Sequence, residues 1–416
     1  MEKSWNNYFS GPLLYNYVWW VLQEAYHRKL HRLYFLARDG YILREIAELF
    51  CQKYNLSISC RYLYCSRASL RMPSYHLIGE EAIELLTLGG YYVSPQSLLD
   101  RLQLTKEQRE TIYKEIGLQN LNENEPLSNS ELKRIRELLK NSGTYRHYIE
   151  MKSKEAYPST IGYLKQEGLF DYSEIAIVDS GWTGSMQRSL RQILHAEGYT
   201  GRIVGFYFGM YAQPKESCDG EYVTWYFNRN RNLFHKILFC NNLFECILSA
   251  PHGMTISYCF RNGQYKPVLK NSYNEDQTHM IQKQIRDILS YTQVTLRCTD
   301  FWKFDKDKAL QTTHQLVKRY MGHPKKQEVD LYGEFMFCDD ITENYHMKLA
   351  SPEQIDILKN YTIVKRIIKR IFDTSPYGEN TNLFWPFGTI AYLPVWKRFF
   401  YRWNIYIWEF IKYVLR

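Results

Sequence analysis

The sequence offers no uninterrupted apolar stretch near the ~20 residues that a membrane-spanning helix needs, so any membrane contact must be peripheral. Met1 to Gly11 lacks the basic start and apolar core of a secretory signal, and no export is expected. The nine cysteines form an odd set at positions 51, 60, 65, 218, 240, 246, 259, 298 and 338, with no Cys-x-x-Cys pair among them. That argues against a disulfide framework and for reduced, mostly buried thiols in a cytoplasmic protein. No polybasic run of the kind that grips DNA is present, so no nucleic-acid partner is expected, and neither a Walker loop nor a dinucleotide fingerprint occurs. Internal repeats and low-complexity tracts are missing as well.

What the chain does have is bulk and aromatic content. With 416 residues, 45% of them hydrophobic and 16% aromatic, it can bury a sizeable core, and one large domain with a smaller one is expected. The 53 basic residues exceed the 44 acidic ones by nine, a balance that favours anionic partners, although over this length it most often describes a solvated surface.

Over the first ninety residues helix and strand alternate. An aromatic helical stretch, Leu13 to Leu30, precedes the apolar run Leu33 to Ala37. Arg38, Asp39 and Gly40 then form a turn, and Ile42, Leu43, Ile46, Leu49 and Phe50 recur at helical spacing. A second strand, Arg61 to Cys65, leads into Ser66, Arg67 and Ala68. From Ile78 to Gly168 the pattern is helical and polar, with caps predicted at Ser94, Thr105 and Ser130, which reads as an inserted helical subdomain. The α/β pattern resumes with strand Glu174 to Val178, helix Ser185 to Ala196, a stop at Gly198 and strand Arg202 to Phe208. The expected fold class is α/β. Residues 1–267 form a parallel-sheet core with a helical insertion at 78–168, and residues 268–416 form a mainly helical region ending in a basic, aromatic, amphipathic helix.

The segment Ile175 to Gln187 is the most informative stretch, because a buried strand ends in an acid and opens a helix through a glycine-containing, hydroxyl-rich loop, Asp179 to Met186. Backbone N–H groups and the positive end of the helix dipole suit such a loop to phosphate. Gly181 and Gly184 allow close approach, and Thr183 and Ser185 add hydroxyl donors. Asp179 would face ribose hydroxyls or, through water, a magnesium ion. A plain helix cap by Thr183 or Ser185 explains the spacing equally well. Two companion turns, Arg38-Asp39-Gly40 and Ser66-Arg67, also follow strands, and a parallel sheet gathers such turns at its carboxyl edge. There Arg38 and Arg67 would neutralise a diphosphate. Taken singly, Arg38 as a surface arginine and Asp39 as a helix N-cap are the commoner roles; their joint appearance is what points to a site.

This order of strand, Arg-Asp-Gly, strand, Ser-Arg and strand, Asp-x-Gly-x-Thr-Gly resembles the phosphoribosyltransferase fold. The wording Phe35-Leu-Ala-Arg-Asp-Gly-Tyr-Ile-Leu43, Tyr64-Cys-Ser-Arg67, Val178-Asp-Ser-Gly-Trp-Thr-Gly-Ser-Met-Gln187 and Phe244-Glu-Cys-Ile-Leu-Ser-Ala-Pro-His-Gly253 is similar to a bacterial polysaccharide-cluster family. That family often carries a HAD-hydrolase label but contains phosphoribosyltransferases that build ribofuranose into surface glycans such as O-antigen and capsule. The similarity spans most of residues 10 to 340. Two departures stand out: Ser180 follows Asp179 where most phosphoribosyltransferases have a second acid, and the loop is one residue tighter before Thr-Gly.

The resemblance implies transfer of 5-phosphoribosyl from phosphoribosyl diphosphate (PRPP), with Mg2+, to a sugar hydroxyl of a lipid-linked glycan at the inner face of the cell membrane. A separate phosphatase would then act on the product. It implies Asp39 as the proton-accepting carboxylate, with Glu245 behind it, and Arg38 as a catalytic cation. The substrate-binding set is Gly40, Ser66, Arg67, Asp179, Ser180, Gly181, Trp182, Thr183, Gly184, Ser185 and Gln187. A non-catalytic phosphoribosyl-binding regulator and a HAD-type sugar-phosphate phosphatase are the alternatives. The second lacks its Asp-x-Asp nucleophile near the start of a strand. In the last stretch, Trp396, Phe399, Phe400, Trp403, Ile407, Phe410, Ile411 and Val414 fall on one helical side. Lys397, Arg398, Arg402, Lys412 and Arg416 are mostly on the other. Such a helix fits either the membrane interface or a dock on the core.

Overall fold

Five strands assemble into one all-parallel sheet, whose central three are apolar and buried. They are β1 (Arg32–Leu36), β2 (Ser59–Leu63), β3 (Glu174–Trp182), β4 (Arg202–Met210) and β5 (Glu221–Phe227), in the order β2-β1-β3-β4-β5. The computed structural model describes residues 5–90, 92–212, 220–271, 274–338, 346–372 and 382–414. Cys218 and Arg416 lie outside them.

The helices that matter below are α1 (Ser10–His27), α2 (Gly40–Tyr54), α3 (Arg67–Ile78), α4 (Gly143–Gln166), α5 (Ser185–Ala196), α6 (Asn241–Ile247), α7 (Glu275–Leu296), α8 (Ile363–Phe372) and α9 (Val395–Val414). Period-two alternation sends Leu33, Phe35, Ala176, Val178, Val204 and Phe206 to one face of the sheet, where α1 and α2 cover them and α7 packs on those helices. Tyr34, Leu36, Ile175, Ile177, Ile203 and Tyr207 go to the other face, under α3, α4 and α5. Burial on both faces is why these strands read as continuous apolar runs rather than alternating ones.

The helical insertion has its own core, including Met72, Leu86, Leu98, Ile112, Leu132 and Ile149. Its caps form at Ser94 and Thr105 as expected. The predicted cap at Ser130 is corrected to Ser128, whose side chain accepts from the Glu131 N–H while Glu131 reaches back to the Ser128 N–H. An antiparallel hairpin, β6 (Thr255–Arg261) with β7 (Gln264–Leu269), follows the sheet, so the 267/268 boundary falls inside β7. Helices beyond it share a core with the amino-terminal ones: Ile281, Ile288, Val317 and Met321 pack in the same cluster as Leu13 and Val18. Of the eight described cysteines, Cys65, Cys240 and Cys246 are buried, Cys298 is exposed and the other four are half-buried.

Candidate active site

The strand order places the site. From β1 the chain moves outward to β2, then returns to β3 on the other side and continues to β4 and β5, so the direction reverses between β1 and β3. Turns leaving two such strands diverge and open a crevice at the carboxyl edge. Arg38 and Asp39 follow β1, and Asp179 lies near the end of β3.

Asp39 stands at the N-cap position of α2, yet its side chain makes no cap hydrogen bond. Instead its Oδ2 accepts a short hydrogen bond from Ser180 Oγ on the neighbouring strand. Gly40 lets the start of α2 pack closely on β1, since a Cβ there would lie 2.5 Å from the Phe35 carbonyl carbon. Burial raises the Asp39 carboxyl pKa; the Ser180 hydrogen bond and the charges of Arg38 and Arg67 pull it back. Asp179 is pushed up to about 8 by burial and by the Asp39 charge, against the backbone N–H groups of Ser180 and Gly181 and the charge of Arg67. Two half-buried carboxyl groups thus share one crevice, and near neutral pH Asp179 keeps its proton. Tyr17 of α1 fixes the strand end from below, its hydroxyl donating to the Asp179 and Phe206 carbonyls at 2.8 and 3.0 Å.

Arg38 and Asp39 line a small cavity with Glu245 of α6, Ser249, Gln277 and His346. Its volume is about 40 Å³, room for water or an ion and not for a sugar phosphate. Glu245 Oε1 accepts the indole N–H of Trp182 at 2.7 Å, which ties α6 to the end of β3. His252 bonds the Tyr62 hydroxyl at 2.9 Å and feels the charge of Arg38. All four motif segments therefore reach one edge of the sheet.

Several predicted residues serve the scaffold. The supposed loop from Asp179 is strand as far as Trp182: Asp179 pairs with Tyr207 and Gly181 with Gly209. Only Thr183 and Gly184 separate strand from helix, because the chain turns through positive φ at Gly181, Trp182 and Gly184. Gly181 is required by the protein itself, since a Cβ there would meet the Gly209 carbonyl oxygen at 2.3 Å. Ser66 caps α3 and donates to the Thr255 carbonyl at 2.6 Å. Gln187 is fully buried, accepting from Tyr207 and donating to the Glu221 carbonyl. Thr183 stays exposed, and α5 starts at Gly184 with no side-chain cap, so neither Thr183 nor Ser185 is the cap that the spacing allowed.

A divalent cation fits the acid pair. Two half-buried carboxyl groups offer hard oxygen donors, which are what Mg2+ takes. No cluster of three or more His, Cys, Asp or Glu suited to a metal occurs among the described residues, so such an ion would complete its shell with water and substrate phosphates.

Arg71, one helical turn beyond Arg67 on α3, was not a sequence candidate. It is 5% exposed, and its Nη2 donates to Ser185 Oγ at 3.1 Å. The i, i+4 spacing of Arg67 and Arg71 is the signal that would have found it.

On the far carboxyl-terminal side, α9 docks through Ile405, which is 3% exposed, and turns Trp396, Phe399, Phe400 and Trp403 to solvent at 74%, 67%, 55% and 51%. Helix α8 lies beside it, with the Ile363 N–H bonded to Asn404 Oδ1 and Arg366 over the Trp408 ring. Its Val364, Ile367 and Ile368 are exposed as well. No described helix is long and apolar enough to cross a membrane.

A scan against protein-family models finds no match for this chain, and a search of curated proteins finds none either.

Proposed function

We propose that the chain is a glycan phosphoribosyltransferase that moves 5-phosphoribosyl from PRPP to a sugar hydroxyl of a lipid-linked bacterial glycan. The observation that carries this reading is the convergence of Asp39, Arg38 and Glu245 on one cavity, beside Asp179 and within reach of the Arg67 charge. The donor is too large for that cavity and lies above it, toward exposed Thr183. The acceptor oxygen attacks the anomeric carbon as its bond to diphosphate breaks, and diphosphate leaves with the bonding electrons. Arg38 and Arg67 stabilise the departing charge, and Asp39 or Glu245 takes the acceptor proton. When bound with the donor, Mg2+ would be held through water by Asp179 and would neutralise charge on the phosphates. The exposed aromatic face of α9, together with α8, brings the enzyme to the bilayer where the acceptor resides. A separate phosphatase then removes the phosphate from the product.

A second reading has one observation in its favour. Asp39 at the end of β1 with Asp179 on the adjacent strand is also an arrangement suited to phosphoryl transfer, with Asp39 as nucleophile. One assay separates the two. Protein, Mg2+ and PRPP are incubated with a crude lipid-linked glycan fraction, and the released anion is identified. Acceptor-dependent diphosphate supports transfer, orthophosphate supports the phosphatase, and binding without turnover leaves a regulator.

A further inference from the structure

We propose that the cavity between α9 and the start of α6 binds a saccharide, and that this saccharide is the acceptor. The second half rests on the transferase reading above; the saccharide site itself does not.

The case starts from what lines the cavity. Its volume is about 480 Å³, against about 40 Å³ beside the acids, and falls in the range of ~300–1,000 Å³ usual for small-molecule sites. Its walls are aromatic: Tyr211, just past β4, with Tyr361, Trp385, Trp408 and Tyr413. Tyr413 stacks on Tyr211, the ring centroids 5.7 Å apart and the planes 6° from parallel. Asn241, Asn242 and Asn382 bring amides to the same space. Asn242 is 3% exposed, and its Nδ2 donates to the Phe384 carbonyl at 2.9 Å. Flat apolar rings beside amides that both donate and accept are the counterpart of a sugar, which has C–H groups on its faces and hydroxyls along its edge.

Charge favours a neutral ligand. The cations of the cavity are already engaged: Arg366 lies over the Tyr361 and Trp408 rings, 3.7 and 5.3 Å from their centroids, and Lys412 donates to Glu409 Oε2 at 3.0 Å. A phosphate would meet Glu409 beside Lys412, and a lipid tail would strand the amides. Sugar hydroxyls satisfy amide and carboxylate alike.

Helix geometry sets the cavity between the two places that a lipid-linked acceptor must reach. Ile405, Trp408, Glu409, Lys412 and Tyr413 recur at the spacing of one face of α9, opposite the exposed face of Trp396, Phe399, Phe400 and Trp403. At the other end, α6 carries Asn241 into this cavity and Glu245, one helical turn on, into the small cavity beside Asp39. Trp182 links the two, its indole N–H bonded to Glu245 Oε1 and its ring 5.8 Å from that of Tyr211. A sugar on the aromatic wall therefore lies about one helical turn from a carboxylate that takes its proton.

The test uses the full chain and two probes: the water-soluble oligosaccharides that mild acid releases from the crude lipid-linked glycan fraction, and anionic phospholipid vesicles without glycan. Binding is read by calorimetry in the absence of PRPP. Wild type is expected to bind the oligosaccharides. Trp408→Ala and Asn241→Ala each weaken that binding roughly ten-fold or more, through loss of a stacking ring and of an amide, and Trp408→Phe recovers most of it. Vesicle binding stays at the wild-type level in every variant. In the transfer assay the KM for the acceptor rises in step while the KM for PRPP holds. Melting temperatures close to wild type for Asn241→Ala and Trp408→Phe keep the test decisive even where Trp408→Ala fails to fold. A wild type that binds no released oligosaccharide, or binding that is indifferent to these variants, overturns the proposal. So does a loss of vesicle binding in place of oligosaccharide binding, which makes the cavity a lipid site. Trp408-dependent oligosaccharide binding in a protein that never releases diphosphate from PRPP keeps the saccharide site and removes the transferase. Diphosphate release with an acceptor KM that ignores the variants keeps the transferase and overturns the cavity as its acceptor site.

Discussion

Two regions of this molecule invert the usual partition between core and surface, in opposite senses. At the reversal between β1 and β3, Asp39 and Asp179 set two half-buried carboxyl groups side by side, where loss of water raises the pKa of each. On α9, Trp396 and Phe399 are exposed aromatics at 74% and 67%, where water is the poorer solvent. A protein selected for stability alone keeps neither feature. The first costs stability wherever the acids are ionised, whereas the second costs little in the folded chain.

The largest expected effect breaks the first member of the pair. Asp39→Asn should lower acceptor-dependent diphosphate release by roughly 100-fold or more, the usual worth of a positioned acid–base group. It should leave the fold intact, since removing one of two crowded carboxylates relieves repulsion. Full activity in that variant would show that Asp39 serves structure only. Next comes the opposite member. Changing Trp396, Phe399 and Trp403 together to Ser should cut association with anionic vesicles by roughly ten-fold or more, since each large aromatic contributes on the order of 1 kcal/mol when its face is buried. The melting temperature should barely move, because these side chains contribute little to the folded core. Vesicle binding that survives the triple change would leave α9 as a docked helix with no membrane role.

The fold was more legible than the site, for reasons that specific residues make plain. Apolar runs such as Ile175 to Val178 announced a two-faced parallel sheet because burial on both faces leaves no polar alternation to misread. Boundaries were harder: β3 runs on through Asp179, Ser180 and Gly181, a stretch that reads as a turn, to Trp182, since pairing with β4 outweighs local preference. Ser128 rather than Ser130 caps its helix because a capping box needs its acid three residues on, and Glu131 satisfies that for Ser128 alone. For the site, sequence order placed Arg38, Asp39 and Asp179 near one edge, but spacing carries no sign of hydrogen-bond direction. It could not tell that Gln187 and Ser66 are consumed by the scaffold, or that Arg71 is buried without an acid.

A smaller effect sharpens the comparison through pH. Asp179 is lifted to about 8 in the fold, well above the ordinary carboxylate range, so between those values the native state holds more protons than the unfolded chain. Stability is then full at low pH and falls as pH rises through that window. Melting temperatures measured across it should decline for wild type and flatten for Asp179→Asn, while the triple variant of α9 keeps the wild-type slope. An identical slope in wild type and Asp179→Asn would remove Asp179 as its source. Saturating Mg2+ should also flatten the wild-type curve if the ion replaces the proton.

The smallest effect separates two serines that both follow the apolar part of a strand. Ser180→Ala and Ser66→Ala should each cost about 1 kcal/mol, one for a hydrogen bond to a carboxylate and one for a helix cap. Their pH dependence should differ. Ser180 holds the Asp39 pKa down, so its loss matters most where Asp39 is ionised and fades as pH falls and the carboxyl takes its proton. Ser66 bonds the Ser69 N–H and the Thr255 carbonyl, neither of which titrates, so its cost should be constant. Chemical denaturation of both variants at several pH values reads this directly. A cost for Ser180→Ala that is flat with pH would mean that Asp39 never carries charge in the folded protein. The crevice would then contain two neutral acids, and its need for a cation would vanish with the charge.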